Sequence, residues 1–253
     1  MKIYVCIKQV PNTDDVKIDV EKGTLIRSNV DNIVNPPDKN ALEVALEIKD
    51  KIDGTEITVI SMGPLQAKEA LQECLAMGAD KAILLSDKSF SGSDTFATSN
   101  VLSKAIKKIG IPDLILLGKQ AIDGETAQVG PQLAEKLNIL FETSITNVKY
   151  NYDKLDIVKE TENYNTKINI KLPCLLTIEK DINIPRNMNI FEIMKEKEIK
   201  IFDHNDIEIN NCECGIEASP TKVVETFVPP KNKNCIFVND DSLDDIINLI
   251  KSV

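Results

Sequence analysis

Asp113-Leu114-Ile115-Leu116-Leu117, followed by Gly118-Lys119-Gln120-Ala121-Ile122-Asp123-Gly124-Glu125-Thr126-Ala127-Gln128-Val129-Gly130-Pro131, is the stretch on which the fold turns. The first five residues form a short apolar run of the kind that makes a parallel strand buried on both faces. Beyond the loop, Val129, Leu133, Ala134 and Leu137 recur at helical spacing, so the loop lies at the C-terminal edge of a strand. In an open α/β sheet ligands bind along that edge, and a helix starting there offers unpaired N–H groups and partial positive charge to a phosphate. Gly118 and Gly124 permit close backbone approach, and Thr126 adds a hydroxyl. The pattern is neither G-x-G-x-x-G nor a Walker A loop, so an ordinary βα loop with turn glycines stands beside the nucleotide reading.

Working outward, strand and helix alternate. Lys2 to Val10 reads as a central first strand ended by Pro11-Asn12-Thr13. Lys17 to Val20 and Thr24 to Ile26 can pair as a hairpin around Glu21-Lys22-Gly23. Asn35-Pro36-Pro37-Asp38 then forces a stop and a helix start, and Ala41, Leu42, Val44, Ala45, Leu46 and Ile48 give that helix its inner face. Its N-terminus is a second candidate ligand edge. Glu56 to Met62 is a strand; Gly63-Pro64 leads into a helix with Ala67, Ala70, Leu71, Cys74 and Leu75 inward, closed by Gly78. Lys81 to Leu85 is the next strand, and after the loop from Ser86 to Ser93 Asp94 caps a helix that Gly110-Ile111-Pro112 ends. This rhythm predicts a doubly wound, mostly parallel α/β sheet with right-handed crossovers.

Past Leu140 the rhythm changes. Ser144 to Tyr150, Leu155 to Lys159, Lys167 to Leu172 and Cys174 to Glu179 read as strands that extend the sheet with antiparallel edges. The loop from Lys180 to Ile190 carries several apolar side chains, and a short helix from Phe191 to about Lys197 follows. Those side chains suggest a partner surface, or equally a loop folded over its own core. From Ile199 the chain is polar and punctuated, with a linker at Pro229-Pro230-Lys231-Asn232-Lys233-Asn234. A final helix from Ser242 to Ser252 carries Leu243, Ile246, Ile247 and Ile250 on one face. Such a helix is marginal alone and must dock on the domain or on another chain.

With 253 residues and 42% hydrophobic content the chain can bury a real core. Its 30 Lys and Arg against 40 Asp and Glu leave a net charge of −10 with no basic block, which argues against nucleic acid or an anionic membrane as partner. The start, Met1 to Ile7, lacks a charged leader and a cleavage site, and no apolar run approaches the ~20 residues of a membrane span, so a cytoplasmic protein is expected. Six scattered cysteines read as reduced thiols, and Cys212-Glu213-Cys214 without a second pair is a poor metal signal. The single His204, in a polar stretch, reads as a surface histidine and not as part of a hydrolytic triad. No metal site and no catalytic acid, base or nucleophile is assigned.

At Gly118 to Pro131 the chain resembles the β subunit of electron transfer flavoproteins. The resemblance covers essentially the whole chain: Val5 to Pro11, Asn35-Pro36, Met62-Gly63-Pro64, Ala76 to Asp80, Gly118 to Asp123 and Pro173 to Thr177 match in the family's order. It implies an adenine-nucleotide-hydrolase-like, Rossmann-like domain over residues 1–200, with a partner-recognition loop at 181–194. An arm at 201–253 would dock on an α subunit. It implies an adenine nucleotide touching Cys6, Asn35, Pro36, Pro37, Asp38, Met62, Gly118, Lys119, Gln120, Ala121, Ile122, Asp123, Gly124, Glu125, Thr126, Ala127, Gln128 and Val129. The N–H groups from Asp123 to Val129 would hold its phosphates.

Simple electron carriers of the family hold AMP here and usually show further acidic residues and an Asn-Gln-Thr-Gly run. Gly124, Ala127, Val129, Gly130 and Pro131 are instead similar to the electron-bifurcating members, whose β subunit holds FAD. That flavin takes a hydride from NADH and sends one electron to ferredoxin or flavodoxin and one to the α-subunit FAD. The smaller side chains leave room for the flavin half. In the family the loop from Asp181 to Ile190 recognises a flavin-dependent dehydrogenase of acyl-CoA or 2-hydroxy acid type. Ile182 would be the apolar anchor, and Ile184, Pro185, Met188 and Ile190 would join it. The chain departs from the family at Glu162-Asn163-Tyr164, which replaces most of an acidic run. The alternatives are a simple carrier with structural AMP and, more remotely, an ATP-binding regulatory module of the universal-stress type.

Overall fold

A computed structural model describes residues 1–12, 17–19, 24–26, 31–161, 163–195, 197–222, 224 and 247. Seven strands run parallel in the order β9 (Leu140–Asn151), β12 (Cys174–Ile178), β8 (Leu114–Gly118), β1 (Lys2–Cys6), β6 (Glu56–Met62), β7 (Lys81–Leu85) and β13 (Ile199–Phe202). Outside β9, β10 (Lys154–Glu160) and β11 (Asn165–Lys171) complete the sheet as antiparallel neighbours.

Both faces of the central strands are apolar, and the pleat sends alternate residues into two cores. The cross-strand row Val59, Val5, Leu116 and Leu176 enters the layer covered by α1 (Pro36–Lys49) and α2 (Lys68–Met77). Tyr4, Cys6, Ile60, Ile83, Ile115 and Leu117 enter the opposite layer, under α3 (Thr95–Ile109) and α4 (Val129–Leu137). The expected helix faces all turn inward: Ala41, Leu42, Val44, Ala45, Leu46 and Ile48 are buried, as are Ala70, Leu71, Cys74 and Leu75. Gly78 at φ 130° and Gly110 at φ 110° end α2 and α3.

The structure departs from the sequence reading in four places. The first strand stops at Cys6, because at Lys8 the backbone leaves the sheet for the start of α1. Lys8 N–H donates to Asp38 at 2.8 Å, and Asn35 N–H donates to the Lys8 carbonyl at 2.9 Å. Gln9–Pro11 (β2) instead pairs antiparallel with Asn32–Val34 (β5). The strand Cys174–Ile178 is not part of an antiparallel edge; all five residues are buried between β9 and β8 in the parallel sheet. The polar region after Ile199 opens with the edge strand β13 against β7, and the short helix α5 covers only Ile190–Ile193.

The expected hairpin is present as β3 (Lys17–Asp19) against β4 (Thr24–Ile26); its turn lies outside the described residues, as do the linker at 229–234 and, Ile247 apart, the final helix. β13 crosses the boundary expected at residue 201. Ile207, Ile209 and Cys214 lie buried in the α3–α4 layer, so the chain stays part of the α/β body at least to Thr221.

Candidate functional site

β6 and β7 follow β1 on one side of the sheet, and β8 lies on its other side, so the winding direction reverses between β1 and β8. Chain connections on either side diverge there and leave a crevice beyond the strand ends. A cleft of about 1180 Å3 occupies that place, reached by Cys6 of β1, Met62 of β6, Ser86 after β7 and Gly118 of β8. A smaller hollow of about 500 Å3, between α1 and β9, lies away from these strand ends.

Two polar residues of the Asn-Pro-Pro-Asp turn build one wall. Proline at the first helical positions needs no N–H partner, which leaves the first turn free to be aimed at its neighbours. Asp38 accepts from Lys8 N–H at 2.8 Å and from Gly118 N–H at 2.9 Å, holding the ends of β1 and β8 on one carboxyl group. Burial pushes that carboxyl up to about 6, against the hydrogen bonds that favour its charge. Asn35, 1% exposed, donates from Nδ2 to Gln120 O at 3.0 Å and accepts from Ile122 N–H at 3.1 Å. Lys8 Nζ pairs with Asp123 at 2.7 Å on the rim. A Cβ on Gly118 would lie 2.6 Å from both Asp38 Oδ1 and Pro37 Cβ, so this glycine admits α1 to the strand end. Burial, and then the nearby Asp38, push the Cys6 thiol up to about 12; it stays protonated.

The opposite wall is the loop before α4. Glu125 and Ala127 hold φ of 49° and 54°, left-handed values that cost a residue with a side chain about 1–2 kcal/mol each. Glu125 N–H bonds back to Ala121 O at 2.9 Å, whereas among the described residues the N–H groups of Thr126, Ala127, Gln128 and Val129 have no acceptor. Strained backbone of this kind collects at ligand clamps, and these free donors sit at the positive end of α4. Gly130 lets α4 approach β12 closely, since a Cβ there would meet Thr177 at 2.6 Å.

Fourteen of the eighteen residues expected around a nucleotide line the cleft. Pro36, Pro37, Ile122 and Asp123 do not: Pro37 packs under Gly118, Ile122 is tied through its N–H, and Asp123 faces Lys8. A third wall, from Ser86 to Thr98 with Phe90, Asp94 and Thr95, was not foreseen, although it follows β7 at the same sheet edge. Asp94 is the expected cap of α3, accepting from Ala97 N–H at 3.0 Å, and it also receives Thr221 N–H at 3.0 Å and Oγ1–H at 2.7 Å. Partial burial works against its charge, but these bonds hold it below the usual carboxylate range. His204 is not an idle surface residue: its Nδ1 lies 2.8 Å from Asp87, a cleft residue, and that bond raises the imidazole above its ordinary value.

In the loop after β12, Ile182 is half-buried against the α1–α2 core, and Pro185 is also half-buried. Ile184, Met188 and Ile190 are exposed, joined by Phe191, Ile193 and Met194. No helix among the described residues is long and apolar enough to cross a membrane.

A doubly wound sheet with a large cleft at its switch point, walled by free N–H groups before a helix, defines an α/β protein of the nucleotide-binding architecture. Comparison with known proteins narrows that class. The family model for the electron transfer flavoprotein domain matches residues 22–207. The chain is 50% identical over 232 residues to the caffeyl-CoA reductase–Etf complex subunit CarD of Acetobacterium woodii, covering 91% of this chain and 88% of that one. It is 50% identical over 232 residues to an electron transfer flavoprotein subunit beta of Thermoanaerobacterium thermosaccharolyticum, covering 90% and 88%. It is 41% identical over 240 residues to an acryloyl-CoA reductase electron transfer subunit gamma of Anaerotignum propionicum, covering 91% and 90%. The chain belongs to the electron transfer flavoprotein family, in its β-subunit group.

Proposed function

We propose that this chain is the β subunit of an electron-bifurcating flavoprotein and that the cleft holds FAD. The observation that carries the reading is the cleft itself. At about 1180 Å3 it exceeds the roughly 300–1000 Å3 usual for small-ligand pockets, and its lining includes the small residues Ala121, Gly124, Ala127 and Gly130. AMP alone would leave much of that space to water. Asn35 and Asp38 would set the adenosine end by holding the strand ends and the loop at 120–122, and the N–H groups of Thr126 to Val129 would take the diphosphate. The wall from Ser86 to Thr98 would enclose the flavin half and limit water.

Bound FAD supplies uptake of a hydride from NADH and release of its electrons singly. The chain's own residues would bind, orient and shield; the Cys6 thiol, held protonated by burial, is not a ready nucleophile. Electrons would leave to ferredoxin or flavodoxin and, through the α-subunit FAD, to a partner flavoprotein. Two relatives carry acyl-CoA reductases in their names, which favours an acyl-CoA type of partner over a 2-hydroxy acid type. The exposed side chains of the loop at 181–194 would meet it. Residues beyond Thr221 would dock on the α subunit, and the assembly would work in the cytoplasm.

The test is co-expression with the α subunit, followed by measurement of FAD per heterodimer and bleaching by NADH. Two FAD and rapid bleaching are expected. One FAD with one AMP, and no response to NADH, would make this a simple carrier.

A further inference from the structure

The loop after β12 is fastened to two helices at every third residue. Asn40 Nδ2 donates to both the carbonyl and Oδ1 of Asn183 at 2.9 Å, and Asn183 Nδ2 donates back to Asn40 O at 3.1 Å. Arg186 donates to Glu43 from its backbone N–H at 2.9 Å, from Nε at 3.0 and 3.1 Å and from Nη2 at 2.9 Å, and reaches Asp50 at 2.7 Å. Asn189 N–H donates to Ala76 O, near the end of α2, at 2.9 Å. Asn40 and Glu43 are 4% and 6% exposed.

Such polar groups are not what a helix needs to cover a core. Apolar side chains of similar size would bury the same surface without the desolvation that a carboxylate and an amide impose. The polar pairs specify where the loop runs. Between the anchors stand Ile184, 92% exposed, and Met188, also exposed. The anchored backbone turns these two apolar side chains outward and keeps them there. The helix carrying Asn40 and Glu43 begins with Asn35 and Asp38 at the cleft, so loop and cleft are referenced to one rigid element.

We propose that Asn183 and Arg186, held by Asn40 and Glu43, are positioning residues for recognition of the acyl-CoA-type flavoprotein that exchanges electrons with this subunit. They preform Ile184 and Met188 as an apolar surface, so that binding does not have to order the loop. This rests on the reading of the loop as the partner surface. An untethered loop pays for ordering on each encounter, whereas electron exchange within the formed complex is unaffected. The expected signature is therefore a raised KM for the partner with kcat unchanged.

The experiment uses the heterodimer and a flavin-dependent acyl-CoA reductase that the unaltered complex serves, titrated in steady-state electron exchange. The paired substitution Glu43→Met with Arg186→Met removes both charges and strands neither. It is expected to raise KM for the reductase about tenfold, leave kcat and flavin content in place, and speed amide exchange at Arg186. Asn183→Ala should do the same to a smaller degree and serves if the pair fails to fold; Arg186→Lys should recover part of the loss. A KM within twofold of the unaltered complex, with faster amide exchange, overturns the proposal. Ile184→Asp separates the two layers of argument. If it raises KM while the clamp variants do not, only the positioning role falls; if it leaves KM unchanged, the loop is not the partner surface and both fall.

Discussion

Oδ1 of Asp38 accepts a 2.9 Å hydrogen bond from the N–H of Gly118, joining the first turn of α1 to the last residue of β8. The contact is possible only because residue 118 has no side chain. Gly118→Ala would set a methyl group 2.6 Å from that oxygen and from Pro37 Cβ, and 2.8 Å from the Pro37 carbonyl carbon. Backbone cannot yield as a flexible side chain can, so the variant should lose about 1–3 kcal/mol. Urea unfolding checks this; a midpoint equal to that of the unaltered chain would mean that α1 shifts freely.

The same carboxyl gives a pH dependence of definite sign. Burial raises Asp38 from 3.8 to about 6 in the folded protein, so the fold binds its proton more tightly than the unfolded chain does. Its contribution to stability is full below about pH 3.8 and is lost as pH rises through about 6. Asp38→Asn removes that contribution and turns one amide N–H2 toward a backbone N–H. Between pH 4 and 7 the difference in stability between the unaltered protein and the variant should therefore shrink as pH rises. A constant difference, read from urea midpoints across this range, would refute the assignment.

Asn35 ties the strand-end wall to the loop by two bonds from a side chain that is almost wholly buried. Asn35→Ala strands Gln120 O and Ile122 N–H, at about 1 kcal/mol for each bond. Loosening of the loop at 120–122 should weaken nucleotide retention about tenfold, measured by equilibrium dialysis of FAD or AMP. An unchanged Kd would separate this loop from the ligand.

Ile182 and Ile184 lie two residues apart and should respond oppositely. Ile182 is half-buried against the core, so Ile182→Asp places a charge there and should cost about 1–3 kcal/mol. Ile184 stands in solvent, and Ile184→Asp should stay within about 0.5 kcal/mol. Thermal unfolding of the two variants distinguishes them.

What could be read in advance follows from how local its cause is. The apolar run at Leu114–Leu117, the spacing of Ala67 to Leu75 and the Asn-Pro-Pro-Asp turn are local signals, and each produced the element expected. Strand order is not local. Nothing within Cys174–Ile178 distinguishes a central position from an edge, because a largely apolar five-residue run suits both. β13 was hidden because Ile199-Lys200-Ile201-Phe202 is a short, half-exposed edge strand flanked by charge. At the site, the sheet-edge rule found the walls from α1 and α4. It applies equally after β7, where Asp94 was read only as the cap of a helix. The anchors Asn40 and Glu43 carry no local mark at all, since their partners lie 143 residues away.

The central place of β12 also bears on how the chain is made. β8 ends at Gly118 and its second neighbour begins at Cys174, so residues 119–173 must leave the ribosome before that edge can be paired. Until then a five-residue, fully apolar strand shows an open row of N–H and C=O groups, the condition under which nascent chains associate with one another. The antiparallel hairpins of β9 to β11 form in that interval from neighbouring sequence. Closure of the sheet by β12 is thus a late step in synthesis, and it brings the wall under Gly130 into place.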